Sequence, residues 1–176
     1  MEFDSNGQYK PEFKKNLSNR ELTDASAVCP FTSIGENEDQ ISEKLFKSKD
    51  SKFNKYIGHY LKIYSGRVLD KKAYSKSSSG GIIKFVLAEL LEKNFVSKVI
   101  HVKSSENGEP LFYFEEADQI DSVLNGSNSS YHPVEWSKVI DKIRTSTERY
   151  AVVGLPCFIK SLRKYMKYYG INKNKV

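Results

Sequence analysis

The sequence predicts an α/β fold: a mixed sheet with flanking helices, preceded by an extended N-terminal arm. Three observations carry this. Strand-like and helix-like segments alternate from about residue 60 onward, which is the pattern of α/β folds. Residues 1–28 are polar and show no clear period. The chain has 176 residues, 39% hydrophobic and 28% charged, enough for a domain that buries roughly 70% of its unfolded surface. The expected division is an arm over 1–35 and an α/β domain over 36–176.

The elements follow in order. Turns are expected at Asn6-Gly7 and Lys10-Pro11 within the arm. Ile41, Leu45 and Phe46 fall at helical spacing in an otherwise charged stretch, which predicts a short amphipathic helix. "HYLKIYSG" alternates and predicts a strand ending at Gly66. After Gly81, Ile82, Ile83, Val86, Leu87, Leu90 and Leu91 share one helical face, with Lys84, Glu89, Glu92 and Lys93 pointing away. "KVIHV" and "LFYFEE" read as two strands of a hairpin joined by "SENGEP". "ADQIDSVLN" is a short helix stopping at Gly126. "VEWSKVIDKIRTS" is a helix introduced by Pro133 near its first turn. "RYAVVG" is a buried strand, "LPC" a turn, and "FIKSLRKYMKYYG" a helix closed by Gly170.

Composition narrows the function classes. No apolar run approaches the ~20 residues that span a bilayer, and the N-terminus "MEFDSNGQYK" has no apolar signal region. A cytoplasmic location is therefore expected. The net charge is +6 and the pI about 9.1. The basic residues are scattered among acidic ones, so nucleic acid is not expected as the main partner; a polyanion-binding domain would betray itself by steeply salt-dependent binding. The two cysteines, Cys29 and Cys157, are expected to be reduced thiols in that compartment. Two thiolates cannot hold a cubane iron–sulfur cluster alone.

Three segments could carry chemistry. Ser77-Ser78-Ser79-Gly80-Gly81 runs into a helix start. Free N–H groups and a partial positive charge there suit a phosphate or dinucleotide, with small residues permitting close approach; alternatively Ser79 caps the helix and the glycines relax a turn. Gly154-Leu155-Pro156-Cys157 puts the Cys157 thiol in a helical first turn, which favours the reactive thiolate, although a buried cysteine can also serve as a small hydrophobe. Ser127, Asn128, Ser129, Ser130 and Tyr131 offer donors and one ring able to stack, or form a solvated turn. His101 and His132 have no partners at metal-ligand spacing, and no hydrolase motif is present.

The ordered segments "GRVLDKKAYSKSSSGGIIKFVLAELLEKNFVSKVIHV", "GSNSSYHPV" and "YAVVGLPCFIKSLRK", with the opening "MEFDSNGQYKP" and "AVCPF", resemble the N-terminal region of the coenzyme F420 hydrogenase/dehydrogenase beta subunit family. The resemblance implies an FAD-dependent, iron–sulfur-linked oxidoreductase subunit or fragment, acting on coenzyme F420 or a related small-molecule acceptor. It implies that Ser78, Ser79, Gly80 and Gly81 lie near FAD and that Ser129, Ser130 and Tyr131 help shape the flavin pocket. It makes Cys157 a candidate cluster ligand, and residues 1–35 similar to the tail of a ferredoxin-like segment. Relatives often carry a ferredoxin-type cysteine series before the Cys-Pro at Cys29, and many have Lys where Ser130 stands; neither occurs here. An iron–sulfur cluster would thus need cysteines from outside this chain. The expected partner is a ferredoxin-like or hydrogenase-type redox subunit, or the family's C-terminal half, which the sequence lacks. The competing reading is a non-catalytic remnant or partner-docking module of the same fold.

Overall fold

A computed structural model of the chain describes residues 2–12, 16–75, 77–106, 108, 110–126, 128 and 132–176. The fold is mixed α/β. Its centre is a three-stranded sheet in the order β6-β5-β7, formed by β5 (Lys98–Ser104), β6 (Phe112–Ala117) and β7 (Tyr150–Val152). β5 and β6 pair antiparallel, with Val99 opposite Ala117 and His101 opposite Glu115. β5 and β7 run parallel, with Val99 opposite Ala151 and Ile100 opposite Val152.

Alternation along β5 divides the core in two. Ile100 faces a cluster with Phe114, Val139, Ile143, Tyr150, Leu162 and Met166. That layer is made by α6 (Ser137–Thr145) and α7 (Pro156–Tyr168). Val99 faces the opposite way, toward Leu87, Leu91, Ala117 and Val123, the layer of α4 (Ile82–Glu92) and α5 (Ile120–Leu124). A central strand buried on both faces reads as a continuous apolar run, as "KVIHV" does. Each fully buried side chain such as Ile100, Ile143 or Leu162 contributes about 1.5–3 kcal/mol over its exposed state.

The N-terminal arm is more structured than its aperiodic sequence announces. β1 (Glu2–Phe3) and β2 (Tyr9–Lys10) form a small hairpin around the expected Asn6-Gly7 turn, where Gly7 has φ +72°. Residues 19–28 are helical rather than extended. Helix α1 (Asn19–Val28) starts with a reciprocal cap: Ser18 Oγ accepts from the Glu21 amide, and the Glu21 carboxylate accepts from the Ser18 amide. It packs on α7. There the buried Lys164 ammonium donates to the Cys29 carbonyl at 2.6 Å and the Ile34 carbonyl at 2.8 Å, and Ser161 Oγ donates to the Val28 carbonyl at 3.0 Å. The helix expected around Ile41 is α2 (Glu38–Phe46), capped by Asn37 and Gln40.

The strand expected up to Gly66 is shorter and lies earlier. β4 (Gly58–Tyr60) pairs with β3 (Lys52–Asn54), and residues 61–70 form no strand. Leu61, Ile63 and Tyr64 alternate in sequence, but all three are exposed, so no packed face turns the pattern into a ladder. A short helix, α3 (Lys71–Ser75), follows. Helix α6 begins at Ser137, so Pro133 stands upstream of its first turn. Among the described residues no helix is long and apolar enough to cross a membrane.

Candidate functional site

In a sheet of this kind, the chain leaves the carboxyl ends of parallel strands through loops that open a crevice. Here β5 and β7 end beside the start of α4. A cleft of about 510 Å³ lies there, lined by Ser77–Lys84, His101, Asn128 and the Val153–Leu155 turn. A second, more apolar cleft of about 760 Å³ adjoins it beyond Ser77, Gly81 and Lys84, reaching Leu69, Phe85 and Leu124.

Helix α4 begins without a side-chain cap. Its N-cap is Gly81, in the left-handed conformation at φ +72°, and no side chain accepts from the first-turn amides. Ser79 is therefore not the cap that the sequence allowed, and it too holds a positive φ of 57°. The first four N–H groups of a helix have no internal acceptor. Those of α4 open into a cleft, where their partial positive charge favours an anion.

The two glycines serve the loop itself. A Cβ at Gly80 would lie 2.8 Å from the Gly66 carbonyl oxygen and 3.4 Å from the Arg67 Cα. The Gly80 carbonyl accepts from the Val68 amide at 2.9 Å. A Cβ at Gly81 would meet Ser77 and Val68 at 3.1–3.2 Å, besides requiring a φ that L residues rarely adopt. The sequence leaves two roles open for these glycines, close approach of a ligand or relief of a tight turn. Their missing side chains make room for the 66–68 segment and for Ser77, and the loop so folded leaves the α4 amides uncovered. Ser77 Oγ is itself engaged with the Ala73 carbonyl at 2.9 Å.

Two residues that the sequence reading set aside belong to this site. Lys84 does not point away from the domain. It lines both clefts, and its ammonium donates to the Leu124 carbonyl on α5 at 3.1 Å, with burial lowering its pKa. His101 is a packed strand residue, only 5% exposed, in the wall of the first cleft. Its Nε2 stands 3.7 Å from Glu115 Oε1, and neither atom has a hydrogen-bond partner. The other carboxylate oxygen of Glu115 takes the Lys103 ammonium at 3.1 Å. Burial, ahead of all other influences, lowers the His101 pKa, while Glu115 opposes the shift. Gly126 closes on the far edge of the ring: a Cβ there would sit 2.3 Å from Nδ1. No spacing motif marks either residue. Only the tertiary packing of β5 against α4 and α5 brings them to the crevice.

Of the remaining predicted residues, Ser78 and Asn128 line the cleft. Ser129, Ser130 and Tyr131 lie outside the described residues, as does Ser127. His132 stacks on Phe112, with ring centroids 4.2 Å apart. Cys157 is half-buried in the first turn of α7, and the cleft lining ends at Leu155. Cys29 and Cys157 are both free thiols, and the described residues include no group of three or more His, Cys, Asp or Glu placed to hold a metal. The thiols present do not by themselves fit an iron–sulfur cluster. Uncapped amides, Lys84 and the buried His101 ring line one cleft, a set of groups that suits an anion.

Residues 63–141 match the family model described as "Coenzyme F420 hydrogenase/dehydrogenase, beta subunit N-term", a span that includes α4, the crevice loop and His101. A chain from the F420-reducing nickel–iron hydrogenase complex of Methanosarcina barkeri, solved with xenon derivatization, shares the fold at a TM-score of 0.51 and 20% identity. The match covers 58% of this chain and 35% of that one, so the present chain corresponds to about a third of it. No curated protein matches the chain in sequence. Residues 63–141 are thus similar to the N-terminal region of the coenzyme F420 hydrogenase/dehydrogenase beta subunit family, and the chain shares its fold with the hydrogenase chain.

Proposed function

We propose that the chain is the N-terminal α/β module of an FAD-dependent oxidoreductase subunit of the F420 hydrogenase type, which receives or delivers electrons through a partner and acts on coenzyme F420 or a related acceptor. The observation that carries this reading is the uncapped N-terminus of α4 opening into the cleft beside Lys84 and His101. A pyrophosphate seated there would take hydrogen bonds from main-chain amides, and the apolar second cleft would receive the flat or aliphatic remainder of the cofactor. Bound flavin supplies hydride and single-electron chemistry; the protein orients it and sets its electrostatic surroundings. Ser78, Ser79, Gly80 and Gly81 form the proposed phosphate loop, and Ser129, Ser130 and Tyr131 are proposed to help shape the flavin pocket. Cys157 would contribute to a cluster only with thiolates from another segment or subunit. The relative named above belongs to a hydrogenase complex, which supports a redox subunit as the partner.

Titrating FAD into the apoprotein tests this. Saturable quenching of flavin fluorescence with one site per chain is expected, reversed by pyrophosphate. An FAD spectrum and fluorescence unchanged by excess protein would overturn it. A docking module without cofactor is the second reading, favoured by the exposed apolar side chains of Leu69, Ile83 and Phe85 around α4. A colourless protein that cannot be loaded with FAD yet captures a redox partner would favour that reading instead.

A further inference from the structure

We propose that His101 is a proton-coupled anion sensor: an anion seated at the α4 N-terminus draws one proton from solvent onto the His101 ring, where Glu115 receives it as a hydrogen bond.

The geometry is that of a missing proton. His101 Nε2 and Glu115 Oε1 are both buried, both without partners, and face each other at 3.7 Å. A neutral imidazole bearing its hydrogen on Nδ1 would present a lone pair to a carboxylate, and two acceptors hold each other beyond hydrogen-bond range. Adding a proton to Nε2 turns this repulsion into a charge-assisted hydrogen bond. The ring has little room toward the end of α5, where even one carbon added at Gly126 would lie 2.3 Å from Nδ1. It shares the cleft with the Gly81–Lys84 turn.

The surrounding charges set the direction. Glu115 on β6 favours the protonated ring. Lys103 on β5 and Lys84 on α4 oppose it, and α5 contributes the uncharged Val123 to the cleft. Desolvation, the largest influence on the ring, favours its neutral form. An incoming anion offsets the two lysines, so the protonated state gains and one proton is bound with the ligand. By linkage, anion affinity is then greatest below the His101 midpoint of the free protein and falls as pH rises through the higher midpoint of the complex.

The inference takes from the proposed function only that an anion occupies this cleft. Its test is proton NMR of the three histidines, with His101→Gln identifying the His101 signal. Saturating inorganic pyrophosphate, against chloride at matched ionic strength, should raise the His101 midpoint by about one pH unit, a tenfold change in proton affinity. Glu115→Gln should lower the His101 midpoint in the free and the pyrophosphate-bound protein alike, because Glu115 favours the protonated ring in both; a midpoint unchanged by that substitution overturns the role given to Glu115. A midpoint unmoved at saturation overturns the inference, and so does failure of pyrophosphate to bind at millimolar concentration. If pyrophosphate moves the midpoint and FAD does not bind, the flavin reading fails and this inference stands. Bound FAD, with the midpoint unmoved by either ligand, overturns this inference alone.

Discussion

Replacing Gly126 with alanine isolates the contact that fixes His101. The new Cβ would lie 2.3 Å from Nδ1 and 2.5 Å from Cε1 of the ring, where ordinary van der Waals contact begins near 3.4 Å. The ring or the α5 end must therefore move by about 1 Å, in a region packed on Val123 and Val99. Forcing a single carbon into a filled core costs about 1–3 kcal/mol. For a chain of 176 residues that is a fall in Tm of roughly 2–12 °C. Chemical denaturation with His101→Ala and the double variant completes a thermodynamic cycle. Because the clash is with the His101 ring, Gly126→Ala should cost far less in the His101→Ala background, leaving a coupling energy of about 1 kcal/mol or more. Additive losses, or a Gly126→Ala protein as stable as the parent, would refute the packing argument and with it the claim that the imidazole is held in place.

Other substitutions test neighbouring parts of the account. Gly80→Val must displace the Gly66 carbonyl or the Arg67 backbone, so it should lower Tm sharply as well as weaken FAD binding; a thermally normal protein that only loses FAD would contradict the loop geometry. Lys84→Met removes a cation lining both clefts, and should weaken pyrophosphate binding about tenfold, measured by calorimetry, with little change in the circular dichroism spectrum. Lys164→Met leaves the Cys29 and Ile34 carbonyls without their donor; limited proteolysis should then cut near residues 29–35 faster than in the parent. Tyr165 is pushed up to about 12, by burial first and by the hydrogen bond to Asp141 second. A phenol kept neutral in the fold contributes stability fully present below the unfolded value near 10 and lost as pH rises toward 12. Absorbance titration should show a late-ionising tyrosine that Asp141→Asn brings down.

Much of this architecture was legible in the residues. The period switches at Gly81, the "KVIHV" run and the "RYAVVG" to "LPC" passage each mark an element that the structure contains, because their patterns reflect burial on one face or two. The failures have physical causes. Helix α1 carries only Leu22, Ala25, Ala27 and Val28 as apolar residues and fully buries none; it is held by a capping box and by docking on α7, so no strong apolar period announces it. "HYLKIYSG" has a strand's alternation but no face to bury. The glycines at 80 and 81 were visible as special, yet what they accommodate is the distant 66–68 backbone, a tertiary contact that local sequence does not encode. Lys84 reads as a solvent-facing helical position, and only the approach of the Leu124 carbonyl draws it inward. His101 was one residue of an apolar strand, and its pairing with Glu115 depends on the hairpin register.

The central claim is that the free amides of the α4 N-terminus receive the phosphates of a nucleotide. Amide NMR of the isotope-labelled protein during a titration with ADP tests it most directly. The account predicts the largest shifts at Gly81, Ile82, Ile83 and Lys84, saturating together with the His101 ring signal. Shifts concentrated elsewhere, with those four amides unmoved at saturation, would contradict it.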